Sequence, residues 1–453
     1  MTGNDDASTI KKDQTVNLKI TDLNHRGEGV GRVNSFTFFV PHVLPGEYVT
    51  AIVTSLHNNF GEAKPEAVTK TSPFREKPLC PYFPRCGGCR LQHLNYKAQL
   101  NWKHKMISEV LRRIAGIEIP VEPVIGMQNP WRFRNKAQIH FGLEKDKVIA
   151  GFYEYGSRNI IDIKQCVVQH PANEQAINII RRELQAYIDR TENSAERKLP
   201  VTGATIRTSF IRGSCVIAFQ AAPGRTYINK LKELALKITA NSGGIVQGIT
   251  LLHTGRKKSG ETVLSGATVL EEEIFPFQYR ISPLSFFQVN PSQAGILYNK
   301  GALLSGEPRT AYDLYCGTGN FSLYLSQKSE HVIGIDVSDQ AINDARENAA
   351  LNSIKNTTFI NTPAEKIKDI LFKGVNPKTV YLNPPRRGAS PALLTSVAAA
   401  NPERIVYISC NPATLARDLA LLVKDSYGVK QIQPVDMFPH TTHVETVCLL
   451  QNV

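Results

Sequence analysis

The stretch YISCNPATLARDL (407–419) places a cysteine where an apolar run, Arg404 to Ser409, gives way to Asn411-Pro412 and a helix-forming segment. A cysteine inside such a strand is usually a small core hydrophobe. At the strand's C-terminal end it lies instead on the edge where open α/β sheets bind ligands. A thiolate there is a nucleophile for covalent catalysis. The helix expected over 412–423 would offer it partial positive charge. The stretch DMFPHTTHVE (436–445) ends on Glu445, at the start of the last apolar run, a carboxylate suited to accept a proton. Cys410 as nucleophile and Glu445 as general base form the candidate catalytic pair.

A second constellation reads as a cofactor site. In DLYCGTGN (313–320), Gly317 and Gly319 allow a tight turn and close approach of backbone to ligand. The third glycine of a pyrophosphate cradle is absent. Asp336 ends the next apolar run, where a carboxylate can hold the two ribose hydroxyls of a nucleoside. Loop and acid together favour S-adenosylmethionine over NAD. The paired prolines of YLNPPRRG (381–388) shape an exposed loop on the same edge. Asn-Pro-Pro followed by an aromatic marks methyltransferases that act on exocyclic amines. Arg386 takes the aromatic position here, so the amine reading loses its stacking residue.

Among eight cysteines, Cys215 and Cys448 lie in apolar runs and read as core. Cys80, Cys86 and Cys89, with Cys166 far downstream, form a candidate metal set. Zinc is the default for four thiolates inside a cell.

Three units must position these groups. Residues 281–453 alternate short apolar runs (AYDLY, HVIGID, TTFINT, TVYLNP, RIVYISC) with helical stretches, which predicts a parallel, doubly wound α/β sheet. One such helix places Ala341, Ile342, Ala345 and Ala349 on one face behind Ser338 as N-cap. Two final runs without a helix between them predict a closing antiparallel pair. Residues 8–70 hold several short strands and tight turns, which predict a small OB-type barrel. Gly27, Gly29 and Gly31 mark a hairpin there, not a dinucleotide loop. Residues 75–280 read as an α+β domain, with a basic helix from Tyr96 to Ala115 and another near 172–190.

A chain of 453 residues accommodates two to four domains, and no apolar run is long enough to span a membrane. The polar start MTGNDDASTIKKDQ lacks a signal-peptide core, so a cytoplasmic location is expected. A net charge of +13 favours a polyanionic partner. No membrane or protein partner is predicted.

Carbon 5 of uracil is a poor nucleophile until a thiolate adds to carbon 6 and turns the ring into an enolate. A base must then remove the carbon 5 proton so that the thiolate can leave. Cys410 with Glu445 suits that sequence of steps. The chain resembles the RNA 5-methyluridine methyltransferases in FFQVNP (286–291), DLYCGTGNF (313–321), NPPRRG (383–388), SCNPATLARDL (409–419) and DMFPHTTHVET (436–446). The likeness extends to residues 8–70, which resemble the family's TRAM domain. It implies a class I, Rossmann-like methyltransferase domain over 281–453, with S-adenosylmethionine held by Gln288, Tyr315, Asn320, Asp336 and Asn383. It also implies that Phe286 occupies the gap left by a flipped base. Asp336 and Asn383 stand where the family often has Glu and Asp, and Pro363 where a polar side chain is usual. The cysteine spacing matches the family's iron–sulfur members, implying a [4Fe–4S] cluster on Cys80, Cys86, Cys89 and Cys166. TRAM domain and cluster together imply 23S rRNA as the substrate, with tRNA the alternative. The non-enzyme rival is an RNA-binding protein with a redox-sensing cluster, against which Cys410 and Glu445 stand. The barrel and the basic stretch Lys97, Lys103, Lys105, Arg112 and Arg113 are the expected RNA contacts.

Overall fold

The computed structural model describes residues 10–191, 197–221, 228–254, 259–282, 285–367 and 379–452. Residues 8 and 9 of the expected barrel and Val453 lie outside this set.

The barrel consists of β1 (Thr15–Leu23), β2 (Gly29–Val33), β3 (Phe36–Val40), β4 (Tyr48–Leu56) and β5 (Phe60–Lys70), closed in the order β1-β2-β3-β5-β4. Period-two alternation turns Val16, Leu18 and Ile20 of β1 inward onto Phe38, Val40, Val49 and Ala51. The glycine run forms the expected hairpin. Gly27 turns at φ +73°, and a Cβ on Gly29 would fall 2.5 Å from Val43. Leu23 and Leu44, at one end of the barrel, pack on Leu91, Leu94 and Trp102.

The middle unit is a seven-stranded sheet of β6 (Lys136–Glu144), β7 (Lys147–Tyr153), β8 (Ile160–Asp162), β9 (Val201–Thr208), β10 (Cys215–Ala221), β11 (Val246–Thr254) and β12 (Ser259–Gly266). Its order is β12-β11-β10-β9-β6-β7-β8. The helix expected over 96–115 is α1 (Tyr96–Val110), continued by a wider π turn, Leu111–Ala115. Helices α2 (Pro171–Asp189) and α3 (Ile228–Ala240) cover the sheet through Ile177, Ile180, Leu184, Leu234 and Ile238.

Helix α1 departs from the sequence expectation. Ile107 and the following Leu111 belong to the core of the C-terminal sheet. Lys103, expected on an RNA-facing surface, is fully buried against Asp436. Lys105 is paired with Asp22 and Glu109, and Arg113 with Glu109. Burial removes Lys103 from the expected RNA-facing set, while Lys97, Lys105, Arg112 and Arg113 keep exposed side chains.

The hairpin β13 (Leu270–Ile274) and β14 (Phe277–Ile281) packs Tyr279 and Ile281 into the core shared with α4 (Pro291–Leu304). The last sheet comprises β15 (Thr310–Leu314), β16 (His331–Asp336), β17 (Thr357–Asn361), β18 (Thr379–Leu382), β19 (Arg404–Ser409), β20 (Tyr427–Val435) and β21 (Glu445–Asn452). Its order is β17-β16-β15-β18-β19-β21-β20, parallel from β17 to β19 and antiparallel for the final two. Helices α5 (Asn320–Ser326), α6 (Asp339–Leu351), α7 (Pro391–Ala399) and α8 (Pro412–Lys424) flank it. Ser338 caps α6 through Ala341 N, as its sequence predicts. Strand order reverses between β15 and β18. In a doubly wound sheet, that switch point opens the crevice in which ligands bind.

Candidate active site

At the switch point lies a cavity of about 550 Å³. Gln288, Tyr315, Asn320, Asp336, Asn383, Cys410, Glu445 and Phe286 all line it. Cys410, Glu445 and Asp336 are expected from strand ends and the others from the family resemblance, and the sheet brings their elements to one edge.

The β15 end shapes the cofactor side. Tyr315 takes φ +66°, a conformation few bulky residues adopt, and so turns the chain into the glycine loop. Gly317 follows at φ +55°, with nothing within 4 Å of where its Cβ would be. Asn320 opens α5, and its side-chain oxygen accepts from the Thr318 hydroxyl at 3.0 Å. Asp336 accepts from Gly317 N at 3.0 Å and Ser338 N at 2.9 Å, one bond on each oxygen. A carboxylate carries about four lone-pair sites, so each oxygen keeps capacity for a hydroxyl. Asp313 lies deeper. Ser322 donates to its Oδ2 at 2.6 Å, while Oδ1 is buried without a partner. Burial first, then the nearby Asp336, pushes its pKa up to about 7. Open space at Gly317, free acceptor capacity on Asp336 and an unmet Asp313 oxygen fit a nucleoside ligand with hydroxyl and amine donors.

The opposite side of the cavity is built by three chain segments. Cys410 follows β19 and precedes α8, whose N-cap Asn411 accepts from Ala413 N at 3.1 Å. Asn411 Nδ2 and the Thr414 hydroxyl donate to the carbonyl of Arg386, at 3.2 and 3.3 Å. These bonds lock the 383–388 loop to the cysteine. Glu445, the first residue of β21, is 5% exposed. Burial raises its pKa to about 7 against the pull of the Arg386 guanidinium. That is a base poised near neutrality.

The thiol departs from expectation. Burial and the neighbouring Glu445 carboxylate raise the Cys410 pKa above the ordinary thiol value, and Arg386 opposes them. The helix start does not outweigh desolvation here. Arg386 carries the local positive charge, which sequence reading registered only as a missing aromatic.

Other lining residues were not assigned from sequence. Tyr298 of α4, fully buried, shares the cavity wall with Asn320 and Gln288. Phe438 and His443, from the stretch leading to Glu445, complete the wall. A buried tyrosine in a helix carries no sequence signal of its own.

Cys410, Arg386 and His443 also line a second opening of about 660 Å³. Its other walls include His25 and Arg26 of the barrel and Arg90 and Tyr155 of the middle unit. The Arg90 guanidinium stacks 3.6 Å from the centroid of the Tyr155 ring. Cations and a π face together suit a single-stranded polyanion. Cys410 thus stands between a cofactor-sized cavity and a basic groove.

The four remaining candidates, Cys80, Cys86, Cys89 and Cys166, are half-buried free thiols. Burial drives Cys89 up to about 12 and Cys166 up to about 11, and the neighbouring thiols add to both shifts. Gly88 N donates to Cys86 Sγ at 3.5 Å. Among the described residues, however, no group of three or more His, Cys, Asp or Glu is arranged to hold a metal ion. Also among the described residues, no helix is long and apolar enough to cross a membrane.

Comparison with known proteins matches this architecture. Residues 95–453 match the tRNA (uracil-5-)-methyltransferase family, and residues 11–65 match the TRAM domain. An uncharacterized RNA methyltransferase of Listeria innocua is 38% identical over 98% of this chain and 99% of its own. One from Clostridium tetani is 38% identical over 97% of each. The crystal structure of Pyrococcus abyssi tRNA (uracil-54, C5)-methyltransferase with S-adenosyl-L-homocysteine superposes with a TM-score of 0.74. It is 29% identical and covers 96% of this chain and 99% of that one. With its switch-point cavity, its TRAM barrel and a family match over most of its length, the chain belongs to the S-adenosylmethionine-dependent RNA (uracil-5-)-methyltransferase family.

Proposed function

We propose that this enzyme methylates carbon 5 of a uridine in structured RNA, 23S rRNA, through a covalent adduct on Cys410. The observation that carries the reading is the shared cavity: Cys410 and Glu445 line the same space as the cofactor positions. Gln288, Tyr315, Asn320, Asp336 and Asn383 hold S-adenosylmethionine, which supplies an electrophilic methyl group when bound there.

Cys410 gives its proton to solvent, the Arg386 guanidinium favouring the thiolate, and the thiolate adds to carbon 6 of the uracil. The sulfur–carbon bond forms, and the ring's π pair moves toward carbon 5 and the carbonyl at carbon 4. Carbon 5 would then take the methyl group of S-adenosylmethionine held among Gln288, Tyr315, Asn320, Asp336 and Asn383, the bonding pair leaving with the cofactor. Glu445 then removes the carbon 5 proton, the ring double bond re-forms, and the bond to Cys410 breaks to return the thiolate. Glu445 passes its proton to solvent. The base must leave its stack to reach Cys410, and exposed Phe286 at the cavity rim fills the gap.

We also propose that Cys80, Cys86, Cys89 and Cys166 hold a [4Fe–4S] cluster, positioning RNA and not taking part in methyl transfer. Half-buried neighbouring thiols, with pKa raised at Cys86, Cys89 and Cys166, and the Arg134 guanidinium beside Cys89 and Cys166 support it. The working division is 8–70 for RNA binding, 75–280 for the cluster and 281–453 for catalysis, in a cytoplasmic enzyme.

Mapping 5-methyluridine in rRNA and tRNA of a deletion strain tests the substrate. Loss from 23S rRNA alone supports the proposal. Loss from tRNA alone would establish the second reading, favoured by the full-length likeness to the P. abyssi tRNA (uracil-54, C5)-methyltransferase.

A further inference from the structure

The segment leading to Glu445 is gripped by the middle unit. Lys103 Nζ lies 2.6 Å from Asp436 Oδ1, and both side chains are 0% exposed. The other carboxylate oxygen accepts from the Tyr96 hydroxyl at 2.9 Å. Lys103 Nζ donates again, to the Phe438 carbonyl at 3.2 Å. Gln99 accepts from His440 N at 3.0 Å, and its amide nitrogen lies 3.2 Å from the His440 ring. The His440 carbonyl accepts from both Arg90 N and Leu91 N, at 2.9 and 3.0 Å. Tyr96, Gln99 and Lys103 sit at helical spacing on one face of α1, and all of them read residues 436–440.

A fully desolvated ion pair is a poor source of stability, since an apolar pair of similar volume does as well or better. Removing one partner is costly, however, and the pair fixes geometry. The geometry fixed here is that of a short segment ending on Glu445, with Phe438 already on the cavity wall.

We propose that Lys103 and Asp436 are positioning residues for the general base: by fixing 436–440 against α1 they aim Glu445 at the adduct. This rests on the reading of Glu445 as the base.

Lys103→Met alone strands a buried carboxylate, so the informative variant of the full chain is Lys103→Met with Asp436→Leu. Single-turnover methyl transfer, adduct release on denaturing gels, S-adenosylmethionine affinity and melting temperature are measured together. The double variant should keep its melting temperature and cofactor affinity and still transfer methyl. It should release product roughly 10²-fold slower, the scale for a catalytic group displaced by about 1 Å. Adducts with ordinary uridine should accumulate.

Release at the wild-type rate from a folded double variant overturns the proposal. If the double variant does not fold, Tyr96→Phe, which deletes only the hydroxyl on Asp436 and Met127 N, decides: slowed release supports it and wild-type release overturns it. Glu445→Gln is run alongside. If Glu445→Gln releases normally, the base assignment fails and this proposal falls with it. If Glu445→Gln stalls and the double variant does not, only the positioning role is lost.

Discussion

Cys410 and Cys89 are both half-buried cysteines whose thiols are raised above their ordinary pKa, and each has an arginine nearby. Their surroundings differ in kind. Cys410 faces one carboxylate and one arginine on the open edge of a sheet. Cys89 faces three other thiols. The first sets a thiol beside a carboxylate that can accept a proton. The second gathers four thiols, soft donors by type. The role of a thiol is set by its neighbours, not by its own burial.

The sharpest break in that comparison is Cys410→Ala. It should lower turnover by roughly 10⁴-fold or more, as loss of a covalent nucleophile does, while S-adenosylmethionine affinity stays at the wild-type level by calorimetry. With 5-fluorouridine RNA, wild type should be trapped after methyl transfer and the variant should form no adduct. Ordinary methylation by Cys410→Ala would sink the mechanism.

Glu445→Gln comes next. It should permit methyl transfer and slow release by about 10²–10⁴-fold, the range for lost general-base catalysis. Its pH profile sharpens the point. A base acts ionised, and burial sets Glu445 near 7. Release should therefore rise tenfold per pH unit below about 7 and level off above it. Methyl transfer, which depends on a thiol raised above its ordinary value, should keep rising into the alkaline range. Release from Glu445→Gln without the inflection near 7 identifies the base, and an unchanged inflection assigns it elsewhere.

These two residues were legible because each ends or begins an apolar run, and a parallel sheet sends strand ends to one edge. The strands themselves were legible for a related reason: buried on both faces, they read as uninterrupted apolar runs. Arg386 was visible only as a departure from a motif, since nothing local says that its side chain faces Cys410. Lys103 was misread outright. A lysine on a helix is exposed by default, and its partner Asp436 lies 333 residues away. Buried pairs between distant segments leave no spacing to read. The cysteine spacing singled out four thiols that the fold makes neighbours, but spacing says nothing of how close they come.

Smaller effects on chemistry are expected from the thiol group itself. Protein purified without air should be brown and contain iron and sulfide, and Cys86→Ala should bleach it. Methyl transfer to a saturating short RNA should fall far less than in Cys410→Ala, because Cys86 does not line the cavity. Colourless wild type with one bound zinc would replace the cluster by the metal first expected of four thiolates.

The smallest effect concerns Arg26. Deleting the barrel is a blunt test, because Leu23 and Leu44 cover Leu91, Leu94 and Trp102, and removal would expose that apolar joint. A point change is cleaner. Arg26 is exposed on the wall of the groove that ends at Cys410. Lys105 is held by Asp22 at 2.7 Å, with Glu109 at 3.8 Å. A phosphate contact made by Arg26 to a single strand contributes about 0.7 to the slope of log affinity against log salt. Arg26→Ala should reduce that slope by about that much and weaken RNA binding a few-fold, leaving cofactor affinity unchanged. Lys105→Ala should change the slope less, since its charge is already neutralised in the folded protein. Equal slopes for wild type and Arg26→Ala would place the RNA backbone elsewhere than along this groove, and a larger drop for Lys105→Ala would return the contact to helix α1.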